Sequence, residues 1–240
     1  MCFDSTCTDL ATRLTMALLL CVIIAAMELT ISLFPDCRVV SGICRLNLTV
    51  DWILERVPGG RVLDIGCFSA LYSGLLKQHS PERYVVGCDL DLNGLQKAKR
   101  LLDDTVRADA RHLPFALNSF DDAISVEVIE HLSKQDGERL TEEARRVSRR
   151  VTVTTPNGWQ GNGPEYLFAD HRLMQHQSAW TVADFTKLGA TQIRGTGWKL
   201  PFKVLRHFLW FIPYWIPRFG NNIIAVFTQA QAEEIISFTL

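Results

Sequence analysis

Arg61-Val62-Leu63-Asp64-Ile65-Gly66-Cys67-Phe68-Ser69-Ala70 is the stretch whose reading decides the fold. Val62, Leu63 and Ile65 form a short apolar run, Asp64 interrupts it, and Gly66 follows at once. A helix-compatible stretch starts at Ser69. The pattern is a strand, a tight turn and a helix N-terminus. In open α/β sheets such a turn lies at the carboxyl end of a strand, where ligands bind. The acid can hold a polar or cationic group of a nucleotide-like ligand, and Gly66 lets the backbone come close to it.

Outward from this point the pattern alternates. Pro58-Gly59-Gly60 turns the chain into the first strand at 61–65, and a helix follows at 69–79. Further strands are predicted at 84–88, 104–108, 120–126 and 150–155, with helices at 93–102 and 137–147. A helix at 182–187 and strands at 191–196 and 222–228 complete the series. The fold class that follows is α/β: a Rossmann-like, seven-stranded, mostly parallel sheet with helices on both faces and an antiparallel edge hairpin.

Acids recur at the carboxyl ends of successive strands: Asp64 with Gly66, then Asp89, then Asp109-Ala110, then Glu127. An acid after the second strand is placed to accept hydrogen bonds from both hydroxyls of a ribose. One such acid alone is a solvated loop residue; four at one sheet edge outline a ligand site.

In these residues and those that follow them, the chain resembles class I S-adenosylmethionine-dependent methyltransferases of the type 11 group. The resemblance rests on 62–67, on Val86-Gly87-Cys88-Asp89, on Ala108 to Phe115 with its Leu113-Pro114-Phe115, on Phe120 to Ile124, and on Glu127-Val128-Ile129-Glu130-His131-Leu132. It implies S-adenosylmethionine as cofactor. The methionine end would be held by Asp64 and the turn of Gly66, Cys67, Phe68 and Ser69, the ribose by Asp89, and the adenine by Asp109 and Ala110. Leu90 and Glu127 complete the implied set. Phe68 and Ala70 depart from the family, which usually has glycine at both positions.

Glu127, Glu130 and His131 stand at i, i+3 and i+4, a spacing that shares one helical face. The spacing resembles two kinds of metal-dependent O-methyltransferase, those of small RNA and of quinone biosynthesis. As in the small-RNA enzymes, Thr155-Pro156-Asn157 follows, and His176 lies four residues before Trp180-Thr181. Three readings stand side by side. Glu127, Glu130, His131 and His176 hold Mg²⁺ or another divalent metal; or Glu127, His131 and His176 line the pocket and catalyse without metal; or these residues are structural.

Composition sets the remaining expectations. The net charge of −1 argues against a protein that coats nucleic acid, and Arg145, Arg146, Arg149 and Arg150 read as a solvated helix end. Seven cysteines, odd in number and without a Cys-x-x-Cys pair, fit reduced thiols in a cytosolic setting. Segment 1–47 reads as an apolar N-terminal helical region. Its core, 14–34, has the length of a membrane anchor but carries Glu28, so a helix buried in protein is the competing reading. Residues 48–240 form the methyltransferase domain, with an aromatic and basic insertion at 198–219. Both apolar regions suit membrane contact at the cytoplasmic face.

The expected function is methyl transfer, with oxygen favoured, to a small lipophilic acceptor, nucleic acid being disfavoured as a partner. Two alternatives stand beside it: a catalytically inactive binding or scaffold protein at a membrane, and an RNA O-methyltransferase.

Overall fold

The structure is a computed structural model that describes residues 53, 56–161, 172–196 and 216–229, all within one compact unit, Asn47–Leu240. Strand β1 (Arg61–Ile65) is buried along its whole length after Arg61. Helix α1 (Leu71–His79), β2 (Tyr84–Asp89), α2 (Leu92–Ala98) and β3 (Asp104–Arg107) follow, then β4 (Phe120–Val126). A short 3-10 turn (Ile129–His131) leads into α3 (Lys134–Val147) and β5 (Ser148–Pro156). A second 3-10 turn (Arg172–Met174), α4 (Val182–Lys187), β6 (Gln192–Thr196), a third 3-10 turn (Pro217–Phe219) and β7 (Asn222–Thr228) complete the described elements.

The seven strands form one sheet in the order β3-β2-β1-β4-β5-β7-β6. The first five are parallel, and β7 runs antiparallel to both β5 and β6. The fold class read from the sequence is borne out, including the antiparallel pair. The strand order reverses between β1 and β4, which places a ligand crevice above their carboxyl ends.

Alternation in β1 feeds two cores. Leu63 and Ile65 join Val86, Phe120, Leu140, Trp180 and Phe185 on one face, while Val62 joins Val85, Leu76, Leu95 and Ile124 on the other. Both faces are therefore covered, as parallel strands require.

Helix bounds differ from the sequence reading where side chains cap them. Helix α3 starts at Lys134 rather than 137, because the Ser133 hydroxyl accepts from the Asp136 amide at 3.1 Å. Helix α2 starts at Leu92 under the Asp91 carboxylate, which accepts from the Gly94 amide at 2.6 Å, and it ends at Ala98 rather than 102.

The arginine run is not a uniformly solvated face. Arg146 is half-buried, ion-paired to Glu143 at 2.7 Å, and donates to the carbonyls of Leu113 and Phe115, each at 2.8 Å. Glu143 in turn accepts from the Leu113 amide. This pair on α3 therefore clamps the Leu113-Pro114-Phe115 segment. The guanidinium beside Glu143 holds its carboxyl below the usual range.

Gly137 is buried inside α3 where a Cβ would collide with the Trp180 ring and stand 2.8 Å from Ile129 Cγ1. An ordinary helix interior gains stability from Gly→Ala. Here Gly137→Ala is expected to lose about 1–3 kcal/mol by overpacking, checked by urea unfolding.

Candidate functional site

The turn after β1 is built on backbone left-handedness. Gly66, Phe68 and Ala70 have φ of 73°, 44° and 61°. Gly66 is required twice over, since a Cβ there would also lie 2.5 Å from Val128 Cγ2. Phe68 and Ala70 adopt the conformation that glycine would take at no steric cost, and bear the strain of a Cβ there. The amides of Gly66 and Cys67 both donate to the Cys88 carbonyl, at 2.8 and 3.1 Å. The Phe68 amide donates to Asp89 Oδ2 at 2.7 Å, and the Asp91 amide to Asp89 Oδ1 at 2.8 Å.

These contacts test the residues for the implied cofactor. Each Asp89 oxygen accepts one amide and keeps a second lone pair, so both oxygens have capacity for ribose hydroxyls. The Phe68 ring lies against Gly94 of α2, where a Cβ would stand 2.8 Å from its Cδ2. One edge of the ring therefore packs on α2. Asp64 is buried, and burial pushes its carboxyl up to about 7, with Ser73 acting in the opposite sense and the Asp89 charge adding to the rise. The Cys67 side chain is buried and burial raises its thiol, as it does for Cys88, so neither is a thiolate. Ser69 is half-buried in the turn, and Leu90 is exposed beyond Asp89. The Asp109 carboxylate is engaged by Arg111, whose Nη2 stands 2.6 Å away, and Ala110 follows it half-buried. The donor set fits S-adenosylmethionine at the turn and at Asp89, while the Asp109 carboxylate is already spoken for by Arg111.

Opposite the turn, the acids after β4 do not share one helical face. Glu127 has φ 55° and precedes the 3-10 turn, so its carboxylate goes elsewhere: Oε1 accepts from the Thr154 hydroxyl and the Asn222 amide, each at 3.1 Å. Glu130 is buried, accepts from the Thr155 hydroxyl at 3.0 Å, and shares a hydrogen bond with Glu127. Burial and then the Glu127 charge raise the Glu130 carboxyl, and burial raises Glu127, opposed by Thr154 and Asn222. Glu130 is the partner that keeps the proton.

Trp180 brings in the last member. It is fully buried and its Nε1 donates to Ser178 Oγ at 2.8 Å. The amides of Gln177 and Ser178 donate to the Glu130 carbonyl, and the Gly158 amide to the Trp180 carbonyl. This clamp sets His176 against His131, with ring centroids 4.9 Å apart. Burial and the His176 charge pull the His131 imidazole below its usual range, so it is neutral at physiological pH. Ligand atoms of Glu130, His131 and His176 lie within 4.8 Å of one another. The structure thus brings together three of the four residues predicted as metal ligands and turns Glu127 toward β5 and β7. Thr154 and Asn222 were not foreseen as partners of these carboxyl groups, and Thr155 was noted only within Thr155-Pro156-Asn157.

The predicted anchor at 14–34 and the insertion from Trp198 through Trp215 lie outside the described residues. Among the described residues, no helix is long and apolar enough to cross a membrane.

Comparison with known proteins follows from this geometry. Residues 63–151 match the family model for a methyltransferase domain. Over 107 residues the chain is 31% identical to a tRNA (carboxymethyluridine(34)-5-O)-methyltransferase of Arabidopsis thaliana, covering 44% of this chain and 24% of that one. Over 88 residues it is 34% identical to the enzyme of that name from Schizosaccharomyces pombe, covering 36% of each. It therefore spans well under half the length of these curated relatives. The crystal structure of the small RNA methyltransferase HEN1 superposes with a TM-score of 0.55 at 18% identity, over 77% of this chain and 25% of that one, a likeness of fold.

The relatives overturn the expectation of a small lipophilic acceptor with nucleic acid disfavoured. Net charge misled because it sums the whole chain, whereas nucleic acid is met by local cations.

One prediction follows from Asp64. Its carboxyl titrates near 7 in the fold against 3.8 in the open chain. The folded state therefore binds the extra proton between these values, and stability falls as pH rises through that window. Without cofactor, Asp64→Asn should match the parent near pH 4 and exceed it near pH 8, by on the order of 3–4 kcal/mol. Thermal melts at the two pH values check this.

Proposed function

We propose that this chain, whose residues 63–151 match the family model for a methyltransferase domain, is a class I S-adenosylmethionine-dependent enzyme that transfers the cofactor's methyl group to an oxygen of an RNA nucleoside. The matches to tRNA methyltransferases carry this reading of the acceptor. The site geometry supports it: a cofactor turn on one lip of the crevice and a carboxyl–imidazole cluster on the other.

Bound S-adenosylmethionine supplies a methyl group on a positively charged sulfur, already a good leaving group. What remains for the protein is alignment, exclusion of water and, where the acceptor is a hydroxyl, removal of a proton. Asp89, with an open lone pair on each oxygen, would hold the ribose hydroxyls, and the 66–70 turn would hold the methionine end. The neutral His131 imidazole is in the protonation state of a base for a hydroxyl acceptor. A carboxylate acceptor needs no base, and then His131 and His176 position it.

The cluster of Glu130, His131 and His176 also supports a second reading, a bound divalent cation. One oxygen and two nitrogens suit a first-row divalent metal. Among the described residues, the buried His131 Nδ1 has no hydrogen-bond partner within ordinary bonding geometry. Such a cation would hold the acceptor oxygen and lower its pKa.

Incubation of the full chain with total tRNA and methyl-labelled cofactor should label RNA. Alkali-labile label marks a carboxylate ester and alkali-stable label an ether. Label confined to organic-extractable small molecules sinks the RNA reading. Asp89→Ala should weaken cofactor binding at least 100-fold by calorimetry, from two lost charge-assisted hydrogen bonds at roughly 1.5–3 kcal/mol each. If a cation takes part, Mn²⁺ should restore chelator-treated enzyme, and His176→Ala should abolish that restoration.

A further inference from the structure

A groove of about 590 Å³ opens beside the cofactor turn, lined by Phe68, Asp91, Asn93, Gln96, Lys97 and Arg100. Phe68 is the aromatic residue in it, with one edge of its ring on α2. Its amide serves Asp89, a task that glycine would perform without the strain of φ 44°. Phe68 is 39% exposed and belongs to neither main core. A strained backbone that presents an exposed aromatic ring points to a use for the ring itself.

The flanking residues supply the rest. Asn93, Gln96, Lys97 and Arg100 fall at i, i+3, i+4 and i+7, one flank of α2 continued past its end, over about 10 Å. Lys97 and Arg100 are exposed. Among the described residues the ion pairs elsewhere on the surface, Lys77–Asp103 and Lys134–Asp184, do not involve them. The one acid in the groove, Asp91, is committed to capping α2. An aromatic face, two cations and two side-chain amides match the three parts of a nucleotide: base, phosphate and base edge.

We propose that this groove holds an unpaired nucleotide of the RNA acceptor, with the base stacked on Phe68 and the backbone phosphates at Lys97 and Arg100. The proposal rests on the RNA reading of the site and adds a second contact, separate from the methyl-transfer cluster. The volume is that of a small-ligand site, sized for one nucleotide and not for a duplex.

The test uses the full chain, a mixed-sequence single-stranded RNA, unfractionated tRNA and a 16-base-pair RNA duplex. Lys97→Ala combined with Arg100→Ala removes two exposed charges and should leave folding and cofactor affinity intact. RNA affinity should fall roughly 10-fold, and the slope of log affinity against log salt should become shallower by about 1.4. Phe68→Gly should lower single-strand affinity by roughly 10-fold with little effect on the salt slope. Unchanged RNA affinity and slope in the double variant, or duplex bound as tightly as single strand, overturns the groove while leaving the acceptor reading standing. So does loss of binding to anionic phospholipid vesicles with RNA binding untouched. Parent protein that neither binds nor methylates RNA overturns the acceptor reading itself, and the groove with it.

Discussion

The bond between the first and second strand ends organises this molecule. Asp89 receives the amides of Phe68 and Asp91, and the Cys88 carbonyl receives those of Gly66 and Cys67. Four amides thus converge on two adjacent residues at the end of β2. They hold a turn whose backbone lies in the left-handed region at three of its five positions, two of them not glycine. Without that anchorage, the cost of holding Phe68 and Ala70 in this conformation would favour a relaxed turn. The crevice, the start of α1 and the presentation of Phe68 over α2 all depend on it.

The other lip is assembled by burial rather than by a turn. Trp180 sits beneath the 3-10 turn, and its own segment hydrogen-bonds the Glu130 carbonyl, so the polar cluster hangs from an apolar anchor. Gly137 gives way so that the indole can fit. Hydroxyls from β5 then satisfy carboxyl groups that burial would otherwise leave costly.

What the sequence disclosed follows the range of the forces involved. The apolar run of β1 and the acid ending β2 are local patterns, and both were legible. The Arg146 clamp was misread as a solvated face because its carbonyl partners lie 31 and 33 residues away. The Asn222 contact to Glu127 spans 95 residues and left no trace in spacing. The i, i+3, i+4 rule grouped Glu127 with Glu130 and His131. It failed because the chain enters the 3-10 turn through a residue of positive φ, which turns Glu127 aside. The Glu130–His131–His176 grouping survived, since it depended on Trp180, a residue with a strong and readable preference for burial.

Asn157 fastens the carboxyl-side stem of the β6–β7 connection. Its side-chain amide donates to the carbonyls of Pro217, Arg218 and Gly220, and Thr196 stands in register with Asn222. The two stems of the long β6–β7 connection are therefore fastened to the sheet independently of what joins them. Closing a longer loop between fixed stems costs little more than closing a short one. A change in the length of that connection should therefore cost the fold little, since the sheet and its fastened stems do not depend on the distance the chain travels between them.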